Sequence, residues 1–172
     1  MTMNPQLLFS RQQIDARITE LTDEMRIEYT NKKPLLLGIL KGSVIFLSDI
    51  IRKLDIPLEI DFVRLSSYGA GITSSGNVQL ILDTTIPVAG RHVLIIEDIV
   101  DTGLTISFLF NYLKSKNPAS LKLCALLDKT SRRKVPVHID YLGFTVPDIF
   151  IVGYGIDYNE QFRHLPDICY IE

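Results

Sequence analysis

A short run of apolar residues places the strongest constraint on how this chain folds. Val93, Leu94, Ile95 and Ile96 follow one another without a polar residue between them. A strand with one face in solvent alternates apolar and polar residues, whereas this run is β-branched and leucine-rich throughout. It therefore predicts a strand buried on both faces, as in parallel sheets that helices cover from both sides.

Strand and helix patterns alternate along most of the chain. Ser10 and Gln13 form a capping box ahead of apolar residues at helical spacing, which predicts a helix to about Tyr29. The other predicted helices are 43–54 and 104–116, and the other predicted strands are 35–40, 58–65, 78–82 and 121–127. This alternation indicates an α/β fold with a doubly wound, mainly parallel sheet.

The pattern changes after Lys129. Two short segments, 141–146 and 150–152, are separated by Pro147 and Asp148, and they predict a small antiparallel appendage, or hood, rather than another strand–helix–strand unit. The length of 172 residues, with 47% hydrophobic and 22% charged residues, suits one domain with a sizeable core. We therefore expect a single domain over 1–172.

The apolar run leads directly into acidic and hydroxyl-bearing residues. The segment reads Glu97, Asp98, Ile99, Val100, Asp101, Thr102, Gly103, Leu104 and Thr105. In open α/β sheets ligands bind at the carboxyl ends of the strands, and a turn that leads into a helix near Leu104 presents free N–H groups to a phosphate. Carboxylates beside such a turn predict a phosphate ligand that is polyhydroxylated or bridged by a metal.

Composition narrows the choice of partners. The net charge is -2 and the pI is near 5.9, so no overall positive field would attract nucleic acid or an anionic membrane. No segment approaches the roughly 18 apolar residues of a membrane-spanning helix, and no signal peptide is recognisable. We expect a cytoplasmic protein in which Cys124 and Cys169, which lack metal-site spacing, are structural thiols.

The acidic segment closely resembles the phosphoribosyl-diphosphate signature of type I phosphoribosyltransferases, in which an acidic pair and then Asp-Thr-Gly-x-Thr follow an apolar strand. Every position of that signature is filled here. The resemblance implies that Asp101, Thr102, Gly103, Leu104 and Thr105 wrap the 5-phosphate, and that Glu97 and Asp98 face the ribose hydroxyls and a bound Mg²⁺. The alternative is a generic acidic loop; a P-loop is a poorer match, because no G-x-x-x-x-G-K-[ST] string occurs.

Two further segments gain meaning from this resemblance. Lys41 and Gly42 would by themselves indicate a plain turn between strand and helix. In hypoxanthine-guanine phosphoribosyltransferases, however, a similar Leu-Lys-Gly segment binds pyrophosphate, often through a non-proline cis peptide. Segment 66–76 is rich in small residues and would otherwise be a loose hairpin tip; the resemblance implies a mobile lid that starts at Ser67 and Tyr68.

The remaining matches to that family lie near the C-terminus. Lys129 would donate to the 6-oxo group of a purine, Phe150 would stack on the base, and the backbone of Ile151 would contact its pyrimidine edge. Asp157 would help to bind a second Mg²⁺, and Arg163 matches a pyrophosphate contact. The alternatives without a functional role are that Lys129 is a solvated lysine and that Phe150 is a core phenylalanine. A nearby basic cluster, 132–134, is expected to be solvated or to contact another subunit.

Taken together, the resemblance implies a purine salvage enzyme that joins hypoxanthine or guanine to 5-phosphoribosyl 1-diphosphate, giving IMP or GMP and pyrophosphate. Asp101 would act as general base at purine N7. A homodimer or homotetramer is usual in the family. The alternatives are the same chemistry on xanthine, orotate or uracil, and a regulator of the same fold that senses the activated sugar without catalysis.

Overall fold

The computed structural model describes residues 4–68 and 77–171. Its strands and helices appear in the following order: β1 Gln6–Phe9, α1 Arg11–Tyr29, β2 Leu35–Ile39, α2 Val44–Leu54, β3 Glu59–Tyr68, β4 Asn77–Leu82, β5 His92–Val100, α3 Leu104–Lys114, β6 Ser120–Asp128, β7 Tyr141–Thr145, β8 Phe150–Val152 and β9 Ile168–Ile171. A single 3₁₀ turn, Thr130–Arg132, follows β6.

The main sheet has six strands in the order β4-β3-β2-β5-β6-β7. Only β4 runs antiparallel to its neighbour. Side chains of β5 point alternately to two cores, since Leu94 and Ile96 pack with α1 and α2 while Val93 and Ile95 pack with α3. All four residues are fully buried, which confirms both the strand with two buried faces and the doubly wound α/β fold class.

The predicted hood exists but has a different composition. The segment 141–146 was assigned to it wrongly, because β7 pairs in parallel with β6 and extends the main sheet. Its connection to β6 contains only a 3₁₀ turn where a crossover helix is usual, so the local pattern concealed a parallel strand. The hood is instead a three-stranded antiparallel sheet in the order β1-β9-β8, which joins both ends of the chain.

The boundary of β5 also differs from the prediction, at the segment that carries the acidic pair. The strand predicted over 93–96 continues to Val100, so Glu97 and Asp98 lie within β5 and not beyond it. The capping box of α1 is confirmed: Gln13 N donates to Ser10 Oγ at 3.3 Å, and Ser10 N donates to Gln13 Oε1 at 2.9 Å. Among the described helices none has the length and apolar character needed to cross a bilayer.

Strand β7 lies unusually close to β6 at Gly143. A Cβ added there would lie 2.2 Å from the carbonyl oxygen of Leu126, closer than real contacts allow. From the other side Arg17 of α1 donates to the carbonyl oxygens of Leu142 and Gly143, at 2.8 and 3.2 Å. The position of β7 therefore depends on the absence of a side chain at Gly143.

We expect Gly143→Ala to lower the free energy of unfolding by about 1–3 kcal/mol, because the added methyl group forces β7 away from β6. The exposed Thr145→Ala variant of the same strand should change it by less than about 0.5 kcal/mol. Urea unfolding of both variants measures the difference. Equal stability of the two variants would contradict the close approach.

Candidate active site

The carboxyl ends of the parallel strands β2, β5 and β6 meet at one edge of the main sheet, and the polar residues of the chain's central motifs converge there. β5 and β6 pair as far as Val100 and Asp128. Lys129 N then donates to Val100 O at 2.9 Å, which carries the pairing past the end of both strands. The acidic segment and the Lys129 segment are thus immediate neighbours.

The acidic pair lies where β5 passes from the core to this edge. Glu97 is buried, with 6% of its surface exposed, whereas Asp98 is partly exposed. Burial, reinforced by the adjacent Asp98 carboxylate, raises the pKa of Glu97 well above its usual value. Each carboxylate also accepts a backbone N–H from the next residue, Glu97 from Asp98 at 3.0 Å and Asp98 from Ile99 at 2.8 Å.

Gly42 lies in close contact with two other parts of the site. A Cβ added at Gly42 would lie 1.7 Å from Asp98 Oδ2, and a Cβ added at Gly155 would lie 2.5 Å from Gly42 O. The turn after β2 therefore sits directly between the acidic pair and the turn after β8. A side chain at Gly42 would displace the Asp98 carboxylate, and one at Gly155, where φ is 97°, would overlap the backbone of Gly42. The peptide bond between Leu40 and Lys41, just before Gly42, is cis, as the resemblance implies.

The loop after β5 surrounds a small cavity of about 100 Å³, lined by Glu97, Ile99, Val100, Asp101, Thr102, Gly103, Thr105 and Ile106. Gly103 has a φ of 84° and precedes the first residue of α3, Leu104. The first N–H groups of a helix have no partner within it, so those of Thr105 and Ile106 are available to an anion. Thr102 Oγ1 accepts the Leu104 N–H at 3.4 Å.

Asp101 combines burial with an unused acceptor. Its Oδ1 atom is buried and accepts no hydrogen bond, and Arg132 Nε lies 3.4 Å from it. The backbone oxygen of Asp101, in contrast, accepts a hydrogen bond from Arg133 Nε at 3.0 Å. The main chain is thus held in place, while the side chain is 37% exposed and forms an ion pair with Arg132.

The segment after β6 forms the other wall. Lys129 is buried, and its Nζ donates to Ile149 O at 2.7 Å and lies 3.7 Å from Asp148 Oδ1. Phe150 is 50% exposed, so it is not the core aromatic of the bland alternative. Its ring makes an edge-to-face contact with Tyr158 at a centroid distance of 5.2 Å, which leaves ring surface free for a flat ligand. Ile151, next to it, is buried.

Charged residues from two loops, the turn after β2 and the segment after β8, form the part of the site that we call its far end. Arg163 pairs with Asp157 at 2.8 Å, measured between Nη2 and Oδ1, and donates to Gly155 O at 2.7 Å. Lys41 pairs with Glu160 at 2.8 Å. These contacts bring Lys41, Asp157 and Arg163 together, although Lys41 is far from the other two in sequence.

Two of the predicted site residues are described only in part. Ser67 and Tyr68 end β3, where they pair with Val78 and Asn77, but their side chains and residues 69–76 of the predicted lid lie outside the described residues.

A larger cavity of about 530 Å³ opens beyond Arg163, between α1, α2 and 163–166. None of the acidic segment lines it, so we place the candidate active site at the sheet edge.

Sequence reasoning missed one partly buried residue of the site, Arg133. The expectation of a solvated cluster is wrong for this side chain, which is only 18% exposed and pairs with the buried Asp128. Besides Asp101 O, its guanidinium contacts Val100 O at 3.4 Å. Three adjacent basic residues suggest a solvated patch, and only the folded chain shows that the second of them turns inward.

Comparison with known proteins agrees with this geometry. Residues 8–159 match the model of the phosphoribosyl transferase domain. The chain therefore belongs to the type I phosphoribosyltransferase family.

Among solved structures, the fold resembles a hypoxanthine phosphoribosyltransferase from Staphylococcus aureus, with a TM-score of 0.93 and 41% identity over 97% of this chain and 91% of that one. Among sequences, it is 46% identical over 162 residues to the hypoxanthine-guanine phosphoribosyltransferase of Bacillus subtilis, which covers 94% of this chain and 90% of the relative.

Other relatives are longer. The bifunctional protein TilS/HprT of Listeria innocua is also 46% identical over 162 residues, and the chain spans 25% of its length. Within the family, the chain is thus similar to hypoxanthine phosphoribosyltransferases that occur both alone and as part of a larger protein.

We expect Arg133→Gln to lower the free energy of unfolding by about 3–5 kcal/mol, because it leaves the buried Asp128 carboxylate without its partner. The double variant Arg133→Gln, Asp128→Asn should recover part of that loss. Lys134→Gln, an exposed neighbour, serves as the control in the same urea titration. If Arg133→Gln and Lys134→Gln have the same free energy of unfolding, the Arg133–Asp128 pair does not stabilise the loop after β5.

Proposed function

We propose that the chain is a single phosphoribosyltransferase domain that acts in purine salvage. It transfers the phosphoribosyl group of 5-phosphoribosyl 1-diphosphate to N9 of hypoxanthine or guanine, releasing pyrophosphate and forming IMP or GMP. The observation that supports this most directly is the contact of the Asp101 loop with the Lys129 segment, since Lys129 N donates to Val100 O at 2.9 Å. A phosphate cradle and a purine wall would then share one crevice.

The purine side of the proposal depends on Lys129 and Phe150. The Lys129 ammonium can only donate hydrogen bonds, so it suits the 6-oxo group of hypoxanthine or guanine. Adenine would place an amino group there and leave two donors facing each other, a mismatch that rejects a substrate strongly. The exposed ring of Phe150 would stack on the base, and the backbone of Ile151 would meet the pyrimidine edge.

The phosphate side depends on the residues around the 100 Å³ cavity. The N–H groups at the start of α3 and the hydroxyl groups of Thr102 and Thr105 would hold the 5-phosphate. Lys41, Gly42 and Arg163 would hold the pyrophosphate. Both sites capture phosphate locally, as a chain of net charge -2 requires.

The donor set suits Mg²⁺ that arrives with its substrate. Among the described residues no three His, Cys, Asp or Glu side chains cluster as a metal site. Mg²⁺, however, is usually held by one or two carboxylates and by substrate oxygens, and here Asp98 Oδ2 lies against a residue without a side chain. Glu97 and Asp98 would hold one Mg²⁺ and Asp157 would help to hold a second, and the bound metal would neutralise the diphosphate leaving group.

In the proposed reaction, the bond from ribose C1 to the diphosphate oxygen breaks while the bond from purine N9 to C1 forms. Positive charge grows on the ribose ring, and the carboxylates of Glu97 and Asp98 favour it. The carboxylate of Asp101, whose side chain is 37% exposed, would take the proton at purine N7. The lid that begins at Ser67 and Tyr68 would exclude water from the reacting ribose.

Location and assembly belong to the same proposal. We place the protein in the cytoplasm, where its substrates occur, without a role in binding nucleic acid or membranes. A homodimer or homotetramer is the expected assembly. One similar structure, a Trypanosoma cruzi hypoxanthine phosphoribosyl transferase with 38% identity and a TM-score of 0.92, was solved to study how the C-terminal region affects oligomeric state and activity.

The direct test is to mix the protein with Mg²⁺ and 5-phosphoribosyl 1-diphosphate, adding hypoxanthine, guanine, xanthine, adenine, orotate or uracil in separate reactions. We expect pyrophosphate and nucleotide to form in equal amounts with hypoxanthine or guanine, and no product with adenine. A folded sample that forms no nucleotide with any base would refute the proposed function.

We expect Asp101→Asn to lower kcat by about 100- to 10,000-fold, because the amide cannot accept the purine proton. The affinity for the activated sugar should change far less, since the loop N–H groups are unaltered. Steady-state kinetics with Asp23→Asn as an exposed control separates the two parameters. An equal loss in kcat and in diphosphate binding would contradict the role of Asp101 as base.

We expect Lys129→Gln to lower kcat/KM for hypoxanthine by about 10- to 100-fold, the typical cost of losing a hydrogen bond from a charged donor. The KM for 5-phosphoribosyl 1-diphosphate should stay near its original value, because Lys129 lies on the purine wall. Lys114→Gln, at an exposed position of α3, is the control. A rise confined to the KM of the sugar substrate would refute the assignment.

A further inference from the structure

Glu160 places its carboxylate between the two cations at the far end of the site. Its Oε1 atom lies 2.8 Å from Lys41 Nζ, and its Oε2 atom lies 3.3 Å from Arg163 Nη2 and 3.4 Å from Arg163 Nε. Both oxygens are therefore used, one on each cation. Lys41 and Arg163 are the two residues assigned above to pyrophosphate, so a role for Glu160 at these cations rests on the proposed function.

The backbone that carries Glu160 is unusual for this residue type. Tyr158 and Gln161 form an antiparallel bridge, with N···O distances of 3.2 and 2.9 Å, around the two-residue turn Asn159-Glu160. Both central residues have positive φ, 49° and 62°. Turns of this kind strongly favour glycine at the second position, and a long side chain there is disfavoured. The carboxylate is present although it makes the turn less favourable.

A stabilising ion pair does not explain this choice. The side chains of Lys41 and Glu160 are 48% and 64% exposed, and ion pairs between exposed groups contribute little to stability. The main chain of Glu160 is held separately, since its N–H donates to Asp157 Oδ2 at 2.8 Å. The turn would therefore keep its position without the carboxylate, and the side chain is left with a role at the two cations.

We propose that Glu160 competes with the diphosphate: in the ligand-free enzyme its carboxylate occupies the position of phosphate oxygens between Lys41 and Arg163, and it must leave both cations when 5-phosphoribosyl 1-diphosphate or pyrophosphate binds. Glu160 thereby weakens binding of the diphosphate group and favours release of pyrophosphate. The carboxylate is ionised at neutral pH, because hydrogen bonding and proximity to Lys41, with a smaller contribution from Arg163, lower the pKa of Glu160.

The physical basis is an exchange of anions at one pair of cations. Each cation loses its hydrogen bond to Glu160 before it can form one to a phosphate oxygen, and the released carboxylate stays nearby and repels the ligand. Because the groups are exposed, salt screens both contributions, and the effect of Glu160 should shrink as ionic strength rises. Purine binding at Lys129 and Phe150 would not use Lys41 or Arg163 and should be unaffected.

The test uses Glu160→Gln, which keeps the size of the side chain, and Glu160→Gly, which also suits the turn. Glu20→Gln is the matched control, because Glu20 forms a similarly exposed ion pair with Arg17 at 2.5 Å on α1, away from the site. The inhibition constant of pyrophosphate and the KM values of both substrates are measured, and magnesium pyrophosphate is titrated directly by calorimetry.

We expect both Glu160 variants to bind pyrophosphate about two- to fivefold more tightly, and to lower the KM of the activated sugar by a similar factor, as loss of competition from exposed pairs predicts. The KM of hypoxanthine should not change, and the gain should diminish in high salt. Thermal unfolding should show Glu160→Gly to be at least as stable as the original, which excludes damage to the turn.

Unchanged or weaker pyrophosphate binding in both variants would overturn the proposal, since weaker binding would mean that Glu160 orients the cations for the ligand. Failure of this inference can be distinguished from failure of the proposed function. An enzyme that forms nucleotide but whose pyrophosphate affinity is insensitive to Glu160 refutes only the competition. The calorimetric titration tests the competition even if no turnover is observed.

Discussion

The close approach of three chain segments at Gly42 is the constraint on which the candidate site depends. The turn after β2 lies so near Asp98 that a methyl group on Gly42 would overlap a carboxylate oxygen, and Gly155 approaches the Gly42 carbonyl from the other side. Gly42 thus meets the side chain of Asp98 on one side and the backbone of the turn after β8 on the other, which limits how the acidic pair, the Lys41 turn and that turn can be arranged. The Gly155 carbonyl in turn accepts a hydrogen bond from Arg163, which pairs with Asp157.

Around this contact, buried charged side chains are paired. The groups that would act on a ligand keep some of their hydrogen-bonding capacity unused. Arg133 pairs with Asp128 and holds the Asp101 main chain, while Asp101 Oδ1 remains without a hydrogen bond. The Asp101 carboxylate lies 3.4 Å from Arg132 and its side chain is 37% exposed, so its charge has a partner although Oδ1 accepts no hydrogen bond. Lys129 is similar, because the Ile149 carbonyl holds its ammonium by a hydrogen bond and Asp148 Oδ1 lies 3.7 Å away.

The ion pairs at the exposed end of the site differ from the buried ones, because they can be exchanged for contacts with a ligand. Lys41 and Arg163 share Glu160, and Arg163 also meets Asp157. Pairs of this kind contribute little to stability, but the shared carboxylate offsets the repulsion between the two cations before a ligand arrives. A site for a multiply charged leaving group needs cations that bind it and also release it, and the proposed competition by Glu160 serves the release.

The sequence by itself determined the layer architecture and supplied most residues of the candidate site. A short, continuous run rich in β-branched residues favours a strand with two buried faces, and residues 97–105 carry a motif contiguous in the chain. Only the tertiary structure decided what depends on distant partners: that β7 joins the main sheet, that β1 and β9 complete the hood, that Arg133 turns inward, and that Glu160 reaches Lys41. The physical reason is that strand pairing and ion pairing depend on which residues meet in space. Local periodicity indicates which face of an element is buried, but not which other element covers it.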